Sequence, residues 1–431
     1  MRDKVLAVLK KLGIDEYIIN ETQTRSAEMF FIKKTLDMKR IKDAREMCVT
    51  VFRPFESDGK KMKGSSQFHV YDQMTEEEIE KAVKSAYLAA SYVCNPDYAL
   101  QEMQKNEFVE MKSNLTGHTL EESAKIMAEA LFAEDTDEKV FINSAELFVT
   151  ENTVKIYSST GVDAGYRKYK VAGEFVAQCK EPQDVETYQN FRYDGLEAES
   201  LRKKVRRVLE ITLDRARAKI APKAGKYRVI ISDSYMKEIF SYYVDRADAA
   251  YIYGEYSGYK IGDDVQARSE DGSAAQIKGD RITLDLVAET PYSDEGTLMV
   301  DRKLMEAGVL KTYHGSVRFS RYIGSEPTGD YRSIRVEKGS RSVEELKKEP
   351  YLHVVNFSDF QMDSFTGHFG GEIRLAYLYD GEKVTPVTGG SINGDIIELQ
   401  ANMFFSEDTQ VEDGYSCPLA VCFEGVPVAG A

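Results

Sequence analysis

Seven glycines lie between Phe365 and Asp395, Gly381 in a turn and the others clustered at Gly367, Gly370, Gly371, Gly389, Gly390 and Gly394, and they fall among strand-forming residues. Each glycine in a helix interior costs about 1 kcal/mol relative to alanine. Such density excludes a long helix and calls for strands joined by sharp turns, with backbones in close approach. Within the same stretch YLYDGEKVTPV reads as a hairpin turning at Asp380-Gly381. From Tyr227 onward the pattern persists: one helix over Ser234 to Ala250, and otherwise short strands with turn residues between them.

Before Tyr227 helix and strand signals alternate. Asp3 to Leu12 has the apolar spacing of a short amphipathic helix ended by Gly13. Three strand-like runs follow, EYIINETQ, AEMFFIKKTLDMKRI and EMCVTVFRPF, then a turn at Asp58-Gly59 and a further strand, KMKGSSQFHVYDQ. Thr75 with Glu78, and Thr119 with Glu122, form capping boxes that open two helices. The polar segment from Asn95 to Gly117 reads as a connection. KVFINSAELFVTENTVKIYSS reads as two strands turning at Glu151-Asn152, and Leu196 to Ile220 as a long basic helix. In that helix Arg202, Lys203, Lys204, Arg206 and Arg207 alternate with Leu201, Val205, Val208 and Leu209, the pattern of a solvated face rather than a phosphate site. The class expected is α+β. An N-terminal domain over 1–94 combines antiparallel strands and helices, a middle α+β domain covers 95–222, and a β-rich domain covers 223–431.

At 431 residues the chain exceeds what one core usually holds. Acidic residues outnumber basic ones, 72 to 57, for a formal charge of -15. A field of that sign repels phosphate backbones and anionic lipid, so direct nucleic-acid or membrane binding is not expected. The apolar run from Val5 to Leu9 is shorter than the roughly 7–15 residues of a secretory leader, and no stretch approaches the ~20 that span a bilayer. The five cysteines (Cys48, Cys94, Cys179, Cys417, Cys422) show no CxxC spacing. Neither a disulfide framework nor a zinc knuckle is expected, and the compartment expected is a reducing cytoplasm.

Helix-borne zinc hydrolysis needs two imidazoles about one turn apart, with a glutamate beside the first. None of the five histidines, His69, His118, His314, His353 and His368, meets that spacing or is followed by Glu. A site assembled from distant residues would draw on His353, His368, Glu372 or Cys417, and His368 with Cys417 is the pair to consider for a nucleophilic centre. No G-x-S-x-G elbow and no phosphate-binding G-x-x-x-x-G-K-[ST] loop occurs. Tyr242, Tyr243, Tyr251, Tyr253, Tyr256 and Tyr259 read as core or interface residues, with a ligand-lining surface as the alternative.

Several runs resemble the TldD/PmbA family, once called modulators of DNA gyrase and viewed as parts of a peptide-processing metalloprotease. VDRKLMEAGVLKTYHGSVRFSRYIGSEPTGDYR is similar to its G-V-L-x-x-Y phrase followed by T-G. QMDSFTGHFGGEIRLAYLYDGEKVTPVTGGSINGD is similar to its T-G-x-F block and G-E-x-x-x-P-V hairpin, and CPLAVCFEGVPVAG to its last strand. The catalytic branch carries H-E-x-x-x-H early in its last domain and a cysteine near the C-terminus. Here the corresponding segment, SDSYMKEIFSYYVDRADAAY, has no histidine, as in the PmbA (TldE) branch, although Cys417 falls near the catalytic branch's cysteine.

The resemblance implies a non-catalytic subunit that pairs with a zinc-bearing TldD-like partner, or with itself when alone, and helps enclose an unfolded peptide. No cofactor is expected in this chain, and zinc is expected in the partner. The block around His368, Phe369, Gly370 and Gly371 is the expected peptide contact. A stand-alone peptidase using His368 or Cys417, and an interaction protein regulating DNA gyrase, are the alternatives.

Overall fold

The computed structural model describes residues 1–268 and 274–430. Its first half runs α1 (Arg2–Lys11), β1 (Tyr17–Ile32), β2 (Thr35–Ser57), β3 (Lys60–Val70), α2 (Glu76–Ala90), β4 (Asn95–Pro96) and β5 (Phe108–Glu110). It continues through α3 (Leu120–Phe132), β6 (Val140–Ser158), β7 (Asp163–Cys179), β8 (Val185–Tyr193) and α4 (Ala198–Arg217). The eight strands form one sheet in the order β4-β3-β2-β1-β6-β7-β5, with β8 paired to β7. The strands expected in the first two domains thus share a sheet, and the polar segment expected as a connection contributes β4 and β5 to it.

Alternation along the strands gives this sheet two unlike faces. On one, Ile19, Met47, Val49 and Val51 meet α1 and α2, while Ala27, Leu147, Val149 and Phe175 meet α3 and α4. The opposite face is covered only at one end, where Ile18, Phe52, Val154, Ile156 and Tyr166 pack around Tyr292 of the second half.

Both capping boxes form: Thr75 and Thr119 accept from the backbone N–H of Glu78 and Glu122, whose carboxylates accept in return. Two expectations need correction. AEMFFIKKTLDMKRI is not one strand. Lys33, at φ 54°, turns the chain after Ile32, so that β1 and β2 form a long hairpin. Nor is there a turn at Glu151-Asn152. β6 runs straight through it because Glu151 pairs with Arg25 of β1 on one side and Tyr169 of β7 on the other.

The second half runs β9 (Gly225–Ser232), α5 (Met236–Arg246), α6 (Ala249–Tyr253), β10 (Leu284–Val287), β11 (Arg302–Glu306), β12 (Val309–Leu310), α7 (Val317–Tyr322) and β13 (Ser333–Val336). Then come β14 (Tyr351–Met362), β15 (His368–Tyr379), β16 (Val384–Val387), β17 (Ser391–Asp395), β18 (Met403–Phe405), β19 (Thr409–Glu412), β20 (Tyr415–Pro418) and β21 (Ala420–Ala429). The helix expected over Ser234 to Ala250 is broken into α5 and α6. One sheet has the order β12-β11-β10-β13-β20-β19. The other runs β14-β9-β21-β17-β15-β16, and β15 also pairs with β14, closing a circuit of strands. α5 lies in the core between the sheets, with Met236, Ile239, Phe240 and Tyr243 fully buried against residues of both. The Asp380-Gly381 hairpin forms, with Tyr379 opposite Val384 and Gly381 at φ 102°. The molecule is α+β with a strand-rich second half.

α4 joins the halves. Leu201, Val205 and Leu209 pack under the first sheet, whereas Ile211, with Ala218 just beyond the helix, packs against Val355 of β14 and Leu375 of β15. Its cations are not simply solvated, as the sequence pattern suggested. Lys204 pairs with Glu412, Arg206 with Glu134 and Arg207 with Asp233. Among the described residues no helix is long and apolar enough to cross a membrane.

Candidate functional site

The expected peptide-contacting block lies at the start of β15. His368 is largely exposed, its Nδ1 3.2 Å from the Asp395 carboxylate. Phe369 turns the other way, 3% exposed, and packs on Phe360 and Phe423. Its ring is core and is not available to a ligand. Gly370 and Gly371 let neighbouring strands approach. A Cβ on Gly371 would stand 2.7 Å from both the Asp359 carbonyl oxygen and the Phe357 ring, and one on Gly370 2.8 Å from the Ile392 carbonyl oxygen. Of the four residues, His368 alone presents its side chain to solvent, beside a shallow polar depression shared with Asp359, Asp363 and Asn393.

Cys417 lies on β20 and is buried, and burial pushes its thiol up to about 12. A thiol of that kind is protonated at neutral pH and makes a poor nucleophile. Its recorded neighbour is the Gln410 amide, 3.8 Å away, whereas His368 pairs with Asp395 in the other sheet. The structure does not join the two as a nucleophile and its base. His353, on β14, is equally enclosed, with Nε2 2.9 Å from the Ser232 hydroxyl.

The fold does bring Cys417 to the segment where the resemblance locates a zinc motif. Both border a cavity of about 240 Å³, lined by Asp233, Tyr235, Lys237, Glu238, Gln410 and Cys417. Lys237 sits over the Tyr415 ring and reaches the Asp413 carboxylate at 3.1 Å. Burial would lower its pKa, but Tyr415 and Asp413 outweigh that and hold it above the usual lysine range. Zinc takes thiolate, neutral imidazole and carboxylate donors. A protonated thiol beside a lysine ammonium does not fit it. Among the described residues no group of three or more His, Cys, Asp and Glu side chains is arranged to hold a metal ion.

A second space opens where the bare part of the first sheet faces the second half. Lys168 and Lys170 are two residues apart on β7, so both project from the same face as Tyr166. Arg192 of β8, opposite Ala172 of β7, shares it. Across the gap stand Glu289, Asp294, Glu295 and Asp330. Arg192 pairs with Glu289 between the halves. Burial would raise the Glu289 carboxyl, but the Ser333 hydroxyl and the Arg192 guanidinium hold it below the usual range. Arg192 lines a cleft of about 780 Å³ and Glu289 a cavity of about 340 Å³, so this ion pair stands where the two spaces meet.

Lys168 is pushed down by burial and by the charge of Arg192, although Glu289 opposes the shift. Lys170 moves the same way for the same leading reasons. Burial raises Glu295 and Asp330. Sequence reasoning missed this cleft. The signal available was Lys168 and Lys170 at strand spacing in a net acidic chain.

Residues 224–430 match the PmbA/TldA metallopeptidase C-terminal domain. A metalloprotease TldD homolog of Buchnera aphidicola is 26% identical over 38% of this chain and 35% of its own. The chain spans about a third of the length of the curated relatives it matches. Two solved structures share the fold over nearly the whole chain. One, from Thermotoga maritima and described as a candidate modulator of DNA gyrase, has a TM-score of 0.77 at 18% identity, covering 99% of both chains. The other, TldE from Thermococcus kodakarensis, has a TM-score of 0.76 at 18% identity, covering 99% of this chain and 100% of its own.

Proposed function

From the premise that the chain belongs to the TldD/PmbA family, we propose that it is a non-catalytic, TldE-like subunit of a TldD-type zinc metalloprotease that processes unfolded peptides in the cytoplasm. The observation that carries this reading is the donor set around Cys417. The two stretches that would build a metal centre meet in one cavity, and there they offer a protonated thiol, an amide, a lysine ammonium and scattered carboxylates, but no imidazole. Among the described residues these groups are not arranged to ligate zinc. The partner supplies zinc, while this chain contributes walls: the open sheet face and the cleft beneath it. Extended peptide can be held at a free strand edge of such a wall through backbone hydrogen bonds, which need no particular sequence. The likeness to TldE agrees with this reading at the level of the fold.

The test is to purify the chain alone and with a zinc-motif subunit from the same cell, then measure zinc content and cleavage of an unfolded casein. The expected result is neither zinc nor cleavage for the chain alone, and a zinc-containing, active complex when the partner is added. Cleavage by the isolated chain overturns the proposal, as does a partner whose activity is indifferent to this chain.

A further inference from the structure

The cavity of about 340 Å³ between β7 and the second half holds charges of both signs that do not satisfy one another. Glu289 is accounted for by Arg192 and the Ser333 hydroxyl. The others are not. Among the described residues Lys168 forms no ion pair, and neither do Asp294, Glu295, Asp330 or Arg332. Glu295 accepts one hydrogen bond, from the Val317 backbone N–H at 2.8 Å. Direct pairing across the gap would leave the carboxyls low and the ammonium high. Instead Lys168 is pushed down, and Glu295 and Asp330 are pushed up, each chiefly by burial. Lys168 and Glu295 are half-buried, whereas Asp294, Asp330 and Arg332 reach solvent at the rim. An ionised group partly out of water and without a partner is costly unless something else compensates it.

The walls differ in sign and origin. Lys168 projects from the first sheet, and Asp294, Glu295 and Asp330 from loops of the second half, with Ser316 and Thr290 as neutral donors and acceptors between them. Water can fill such a space, but it brings no charge to either wall. A ligand that carries one charge of each sign compensates both. The volume is near the lower end of the roughly 300–1,000 Å³ typical of small-molecule sites, which suits a short ligand better than a long chain.

We propose that this cavity binds a short peptide with both ends free, its carboxylate toward Lys168 and its α-ammonium toward Asp330 and Glu295. The inference rests on the peptide-handling reading above and narrows it: the site recognises the two termini of a cleaved fragment rather than an internal stretch of polypeptide. Arg332 also lines the cavity, on the same wall as Asp330.

Calorimetric titration of the full chain with trialanine, N-acetyl-trialanine and trialanine amide tests this. Trialanine is expected to bind saturably. Blocking either end should weaken binding by roughly 10–100-fold, the worth of one charge-assisted hydrogen bond. Lys168→Met should weaken trialanine by a similar factor while leaving the amide unchanged, and Asp330→Asn should do the mirror of this with the acetylated peptide. Equal binding of all three peptides by the unaltered protein overturns the proposal without any variant. So does the absence of saturable binding, or a Lys168→Met effect that is the same for all three. A chain that supports partner-dependent cleavage yet ignores trialanine loses this inference alone, whereas one that binds trialanine but never assists cleavage loses the other.

Discussion

Enclosure decides what the imidazole of His353 can do. Burial, helped by the charges of Lys347 and Arg207, pushes its pKa down to about 3 from an ordinary 6.5. The unfolded chain therefore takes up this proton near pH 6.5 while the folded chain resists it. The contribution to stability is complete above that pH and shrinks as pH falls towards 3, by up to about 1.4 kcal/mol per pH unit. Urea midpoints measured between pH 6.5 and 4 should fall more steeply for the unaltered protein than for His353→Gln, and equal slopes would remove His353 as the cause. The same principle governs the candidate site residues. Sequence shows that His368, Phe369 and Cys417 exist in a glycine-rich context. It does not show that His368 is outside, Phe369 inside and Cys417 sealed, because those states depend on strands distant in the chain.

At the scale of elements, what was legible was whatever is encoded within a few residues. Thr75 and Glu78 close their capping box without help from the rest of the fold, so Thr75→Ala should cost about 1 kcal/mol and leave the structure otherwise intact, as read by urea denaturation. The Asp380-Gly381 hairpin was legible for the same reason. The failures are equally specific. Lys33-Lys34 turns a hairpin without the glycine or asparagine that usually announces one. Glu151-Asn152 carries turn chemistry that is overridden by ladders on both flanks. Beyond the first hairpin turn, Thr35 to Glu46 of β2 pairs with β1 alone. Lys39, Arg40, Lys42 and Arg45 keep that free edge charged, as edge strands commonly are.

The whole molecule is two main hydrophobic assemblies held by one helix, an apolar contact around Tyr292 and a set of ion pairs across the join. Lys204 and Glu412 are 14% and 21% exposed, so removing one partner leaves the other poorly hydrated. Lys204→Met should cost about 1–3 kcal/mol, between the values for exposed and buried pairs. The loss should register as a lower midpoint for both halves together in thermal unfolding, and a shift confined to one half would deny the pair its joining role. The interdomain cleft escaped the sequence reading because its walls, Lys168 and Asp330 for instance, meet only through this assembly. α4 carries a further consequence, for how the protein is made. When Arg217 leaves the ribosome, every strand of the first sheet has been synthesised, and the helix can seat Leu201, Val205 and Leu209 at once. Ile211 must wait for Val355 and Leu375, which are translated much later. The newborn chain thus carries a helix docked on one side and bare on the other, a template on which its second half is assembled and a point where a chaperone has something to hold.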